Sequence, residues 1–248
     1  MTMPRKQFFT SVRTWALLVL IWTLFPVLTT AAGQVDNTLY ADLLKRYVVD
    51  GRVSYEGFKR EEARLDQYLD ILSNTRVDSL DEKERFAFYI NIYNAFTIKL
   101  ILTRYPDVGS IKDFGGLFSS PWKKEFIPLG GRTVSLDYIE HEILRPVFRD
   151  ARVHFAVNCA SRSCPPLMGE PYEGSRLEAQ LDRQTRSFVN SPGNTRIQGD
   201  TVYVSRIFKW FKEDFNHDPV GFILSYADES LKGALVEVRA RARVAYLD

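Results

Sequence analysis

Over residues 86–102 the chain reads FAFYINIYNAFTIKLIL, apolar almost all the way round a helical wheel. A helix without a polar face has no surface to lie on, so other elements must enclose it. That requirement constrains the fold more than any other stretch. Asp81, Glu82 and Glu84 suit the first turn, where unpaired N–H groups and the helix dipole favour negative charge. The helix is expected to start near residue 79 or 81, run to 105 and stop at Pro106, which has no N–H to donate.

The flanking segments supply the layers around it. Residues 36–49 carry Leu39, Leu43, Leu44 and Tyr47 at helical spacing and end at Asp50-Gly51, a helix stop. Residues 56–73 repeat the pattern with Phe58, Leu65, Tyr68, Leu69 and Leu72. Short β-prone runs on either side of Gly130-Gly131, and again around Gly199-Asp200, predict two hairpins. Between them lie a helix over 136–145, N-capped by Ser135 and ended by Pro146, a buried strand over 153–157, and an amphipathic helix over 177–189. Short helices at 207–215 and 220–231 and a closing strand over 235–246 complete the reading. No repeat or linker follows residue 36. Residues 34–248 are therefore expected to form one α+β domain, a helical N-terminal half packed on a small mixed or antiparallel sheet.

Residues 1–33 stand apart. Arg5, Lys6 and Arg13 precede an apolar run over 15–28, and small residues close at Ala31-Ala32-Gly33. That is the layout of a cleaved secretory signal, which predicts a periplasmic or secreted protein. The run is short for a membrane span, so membrane association is expected only through this segment, if it is retained. Removing it leaves 30 basic against 31 acidic side chains, a net charge of −1. The electrostatic case for a nucleic-acid partner disappears with it. A small molecule or a peptide is the expected partner.

Residues 154–167, HFAVNCASRSCPPL, hold both cysteines of the chain, Cys159 and Cys164, with His154 just before them. Two readings compete. An oxidising compartment favours a Cys159–Cys164 disulfide that staples a small loop. A thiolate at Cys159 with a histidine base would instead be a nucleophile. On an extended strand His154 would point away from Cys159, which favours His141, on the predicted helix beside Glu140 and Glu142, as the base. Asn91 and Asn94 share one face of the buried helix and could brace loop backbone or reach into a cleft. Asn158, Ser161, Cys164 and Trp122 are candidate binding residues. Trp210 and Phe211 read as core aromatics, and His217 as a solvated turn residue. No cofactor is expected; zinc on the cysteines and histidines is the minor alternative, with a loose C-x4-C spacing.

Three segments in this order, YINIYNAFTIKLIL (89–102), SLDYIEHEILRP (135–146) and RVHFAVNCASRSCPPL (152–167), resemble the family called domain of unknown function 547. SRIFKWFKEDF (205–215) and Gln180-Leu181-Asp182 add to the resemblance, which spans about residues 80–230. It implies signature roles for Asn91, Asn94, Glu140, His141, His154, Asn158, Cys159, Cys164 and Pro165. It also implies thiol chemistry, because related domains accompany glutaredoxin-type modules. The expected site is thiol-centred: a hydrolase or acyl transferase similar to cysteine proteases and transglutaminases, or a thiol oxidoreductase. The rival is a non-catalytic binding module with a structural disulfide.

Overall fold

The computed structural model describes residues 33–108, 111–114, 120–161 and 164–247. Apart from Gly33, residues 1–33, expected to be a signal peptide, lie outside the described residues.

The central helix forms as its composition demands. Helix α1 (Thr38–Tyr47), a two-residue hairpin β1–β2 (Val48–Val49, Arg52–Val53), and helices α2 (Tyr55–Arg60) and α3 (Glu62–Asn74) precede α4, Glu82–Leu102. Asp81 caps α4 by accepting from the Glu84 N–H, and nearly every residue from Phe86 to Leu102 is buried. Helices α2 and α3 and the turn after α5 (Leu136–Tyr138) pack around it. The helix ends three residues before the expected stop, in a turn over Thr103 and Arg104. Asp50-Gly51 does more than end α1. It is the tip of the β1–β2 hairpin, and the Leu167 N–H donates to the Gly51 carbonyl at 3.1 Å. Gly51 has φ +72°, and a Cβ there would overlap Pro166. Only glycine allows that approach.

The 56–73 stretch is two helices, broken at Glu61, which leaves helical geometry at φ −116° and ψ 29°. The first hairpin is β3–β4 (Ile127–Leu129, Arg132–Val134), as read from Gly130-Gly131. Ser135 then caps α5 by accepting from Tyr138 N–H. Pro146 does not end the helical path. Residues Ile139–Leu144 form a π turn, with Arg145 N–H donating to the Glu140 carbonyl five residues back, and α6 continues from Arg145 to Phe148. The wider turn absorbs a residue that cannot donate, and such turns recur at functional sites.

The segment read as a strand over 153–157 is a single helical turn, α7 (Val153–Ala156), followed by extended Val157. Asp150 starts it. Its side chain accepts from Arg152 N–H at 2.9 Å and its carbonyl from Val153 N–H at 3.1 Å. Arg152 then reaches Glu178 and Asp182 on α8 (Leu177–Val189), pinning α7 to that helix.

The second hairpin, β5–β6 (Thr195–Gln198, Thr201–Val204), is joined by β7 (Arg243–Tyr246), parallel to β6, in a mixed three-stranded sheet. Between β6 and β7 lie α9 (Ile207–Trp210), α10 (Pro219–Tyr226) and α11 (Glu229–Val238). The first four residues of the stretch expected as a closing strand are thus helical, and only its last four pair. The architecture is α+β, with helix predominating.

Two hydrophobic clusters result, one around α4 and one of Phe155, Phe188, Phe208 and Phe215 with residues of the C-terminal sheet and helices. Helix α7 straddles them. Val153 and Ala156 belong to the first cluster and Phe155 to the second. The cysteine loop emerges at this seam. Among the described residues no helix is long and apolar enough to cross a membrane.

Candidate active site

A cleft of about 290 Å³ opens at that seam. Cys159, Cys164, His154, His141, Glu140 and Trp122 line it, all proposed from the sequence, together with Tyr93, Asp137, Trp210 and Phe211. The strand-parity argument against His154 lapses because α7 is helical.

Electrostatics organise one wall. Asp214 accepts two hydrogen bonds from Arg145, Nε at 2.6 Å and Nη2 at 3.0 Å, and one from His154 Nε2 at 2.6 Å. Burial raises the Asp214 carboxyl, but the hydrogen bonds from His154 and Arg145 outweigh it and hold the group well below the usual carboxylate range. Asp214 is thus an acceptor only, and His154 must donate through Nε2. In the neutral ring this leaves the Nδ1 lone pair free to take a proton. The ring of Phe211 stacks on His154 at 3.9 Å between centroids and lies beneath the Arg145 guanidinium at 4.9 Å.

His141 is held differently. Arg145 Nη1 lies 2.9 Å from its Nδ1. A guanidinium has no acceptor, so Nδ1 must accept and the ring proton sits on Nε2. With that lone pair engaged by Arg145, His141 presents no free basic nitrogen in this arrangement. Neither Glu140 nor Glu142 orients it. Glu140 accepts from the Tyr93 hydroxyl at 3.0 Å, and Glu142 is exposed. Burial, then the Glu140 charge, pushes the Tyr93 phenol well above its ordinary value, so Tyr93 stays protonated as that donor.

The asparagines do not enter the cleft. Asn91 donates to the Tyr172 carbonyl and accepts from its N–H, both at 2.8 Å. Asn94 donates to the Ala156 carbonyl at 2.9 Å and accepts from Asn158 N–H at 2.8 Å. Each amide has both ends engaged with backbone, the bracing role. They face different segments, Asn91 the Tyr172 backbone and Asn94 the backbone that leads into the cysteine loop. Asn158 extends the brace, donating to the Pro165 carbonyl at 2.7 Å and accepting from Ala160 N–H at 3.0 Å.

The sulfurs of Cys159 and Cys164 lie within bonding distance, and their Cα atoms are 5.9 Å apart, inside the disulfide range. Closing so short a loop is worth about 2 kcal/mol in chain entropy. Asn158 and Ser161 line a separate cleft on the other side of the loop, beside Asp50, Arg52 and Tyr55, and Cys164 lines both. Among the described residues no group of three or more His, Cys, Asp or Glu is placed to hold a metal ion. Trp122 lines the cleft that holds His154 and His141, and its indole N–H is buried with no acceptor among the described residues. Such an unmade bond costs about 1–3 kcal/mol. Trp210, expected in the core, is 55% exposed at the rim. His217 is exposed, as expected of a turn residue.

Sequence reasoning missed Asp214, Arg145 and Asp137 as site residues. Arg145 and Asp137 stand in the SLDYIEHEILRP segment and Asp214 in SRIFKWFKEDF, where each looks like an ordinary surface charge.

Residues 77–189 match the family model described as "Protein of unknown function, DUF547". That segment is a DUF547 domain. The DUF547 match runs from the turn before α4 to the last residue of α8, and so contains every cysteine-loop and asparagine position above. Asp214, Trp210 and Phe211 come from beyond the DUF547 segment. Comparisons with curated proteins and with solved structures gave no match.

Proposed function

We propose that the cleft is a thiol-centred active site. Once a thiol reductant has opened the disulfide, Cys159 is the nucleophile and His154 its base. His154 Nδ1 takes the thiol proton, while Asp214 fixes the tautomer and stabilises the imidazolium. The thiolate attacks a carbonyl carbon, forming a C–S bond as the π pair moves to oxygen. Collapse expels an amine or alcohol, which takes the proton from His154. Water or another acceptor then cleaves the thioester. This is hydrolase or acyl-transferase chemistry of the kind run by cysteine proteases and transglutaminases. A thiol oxidoreductase would need the two sulfurs but has less use for a carboxylate-held imidazole. The observation that carries the reading is that this imidazole and both sulfurs line one cleft. Residues 1–33 would direct the protein to the periplasm or outside the cell, where it meets a small molecule or peptide.

The bonding distance between the sulfurs and the asparagine bracing favour a second reading. In it the disulfide is permanent, and the cleft of an exported binding module holds a ligand without transforming it.

Labelling separates the two. In the folded, reduced protein a limiting amount of iodoacetamide should modify Cys159 at least about tenfold faster than Cys164, as resolved by peptide mass mapping. Equal or absent labelling would remove the catalytic reading and leave the binding module.

A further inference from the structure

We infer that the cleft receives an organic cation, a primary ammonium on a short apolar chain, with Asp137 and Glu140 as the acceptors of its N–H groups. This names a substrate class for the proposed active site, resting on that reading only in taking the cleft as the place where chemistry occurs.

Charge comes first. Among the described residues no lysine or arginine lines the cleft, whereas Asp137 and Glu140 both do. The two stand three residues apart on the helical path through α5 and the π turn, and so share a face. No neighbour cancels either charge. His141 Nε2 lies 3.8 Å from Asp137 Oδ1, beyond hydrogen-bond length, and with Nδ1 accepting from Arg145 the imidazole is neutral. Among the described residues no donor comes closer to the Asp137 carboxylate. Glu140 accepts on Oε2 from the Tyr93 hydroxyl, which stays protonated and uncharged, and Oε1 has no donor among the described residues. Asp214 differs, since Arg145 balances its charge. A ligand that brings positive charge and N–H donors therefore meets unmet need.

The walls narrow the cation. Val157, Ile207 and the rim of Trp210 provide an apolar surface for a hydrocarbon chain, and an indole face itself attracts cations. Such walls suit an organic cation rather than a hydrated metal ion, for which no ligand group of three is placed among the described residues. A volume of about 290 Å³ suits one ring and a short chain. Unfilled carboxylate oxygens favour a primary ammonium, whose N–H groups a quaternary one lacks.

The test uses the full-length protein with its disulfide intact, titrated calorimetrically at neutral pH. Phenethylammonium, its N,N,N-trimethyl derivative, phenethyl alcohol and phenylacetate share a ring and differ in the end group. Phenethylammonium should bind at least about tenfold more tightly than the alcohol and about fivefold more tightly than the trimethyl derivative, with phenylacetate weakest. Asp137→Asn and Glu140→Gln should each weaken phenethylammonium about tenfold and leave the alcohol unchanged. Glu140→Gln keeps an acceptor for the Tyr93 hydroxyl, and the wild-type series decides alone if a variant fails to fold. Equal binding of ammonium and alcohol, equal binding of the primary and trimethyl ammonium, undiminished affinity in both folded variants, or no binding of phenethylammonium would overturn the inference. Because the assay needs no free thiol, its failure is separable from failure of the catalytic reading. Fast Cys159 labelling without phenethylammonium binding sinks only the inference. Binding with an inert Cys159 sinks only the catalysis.

Discussion

Replacing Asn94 by Ala should destabilise the protein by about 3 kcal/mol, read as a fall in the urea midpoint at unchanged slope. The side chain is 3% exposed and spends both ends of its amide on the backbone that leads into the cysteine loop. Truncation strands the Ala156 carbonyl and the Asn158 N–H. Each stranded group costs about 1–3 kcal/mol where water cannot reach it, and the vacated volume adds a cavity term. Asn158 immediately precedes Cys159, so the same change loosens the segment that positions the sulfur. Leu at 94 would fill the space and leave both backbone groups unpaired, and should not rescue. A loss under about 1 kcal/mol would mean the loop backbone finds other partners.

Asp214→Asn should slow alkylation of Cys159 in the reduced protein about 100-fold near pH 6. A lone thiol there is almost entirely protonated, whereas one paired with an imidazolium is largely thiolate. Asp214 makes that pairing possible by accepting from His154 Nε2 and by supplying the negative charge that stabilises the protonated ring. An amide keeps the shape and removes the charge. Its NH2 also faces the ring nitrogen with a donor, which favours the wrong tautomer. The hydrogen bonds that hold the Asp214 carboxyl below the usual range keep it ionised throughout, so no limb of the pH profile would belong to it. The depressed value also means the Asp214 contribution to stability is fully present above the ordinary carboxylate range. It is lost only as pH falls through the lowered folded value. A rate within about threefold of wild type would show that His154 does not govern the thiol.

The enclosed helix was legible because seventeen residues with no polar stripe admit one arrangement, and Asp81 marked its start. The hairpins at Gly130-Gly131 and Gly199-Asp200 were legible from their turn chemistry. The run at 153–157 was not. Over five residues, four of them apolar, the helical and strand periods cannot be told apart, and the Asp150 turn that starts α7 is a local side-chain event. That one misreading carried the wrong face for His154 with it. Pro146 misled for a related reason, since a π turn accommodates the missing donor and lets the helix run on. The cysteine, histidine and asparagine positions could be picked out by residue type, but what each does could not. His141 and Arg145 are four residues apart, and their contact settles a tautomer that no spacing rule supplies. Asp214 is 60 residues beyond His154, so only the folded chain brings the two together.

The most direct test of the thiol-centred site is the pH dependence of Cys159 alkylation in the reduced, folded wild-type protein. If His154, held by Asp214, keeps Cys159 as a thiolate, the rate should stay nearly level from about pH 6 to about pH 8. A rate that climbs about tenfold per pH unit across that range, tracking an ordinary thiol near 8.5, would contradict it.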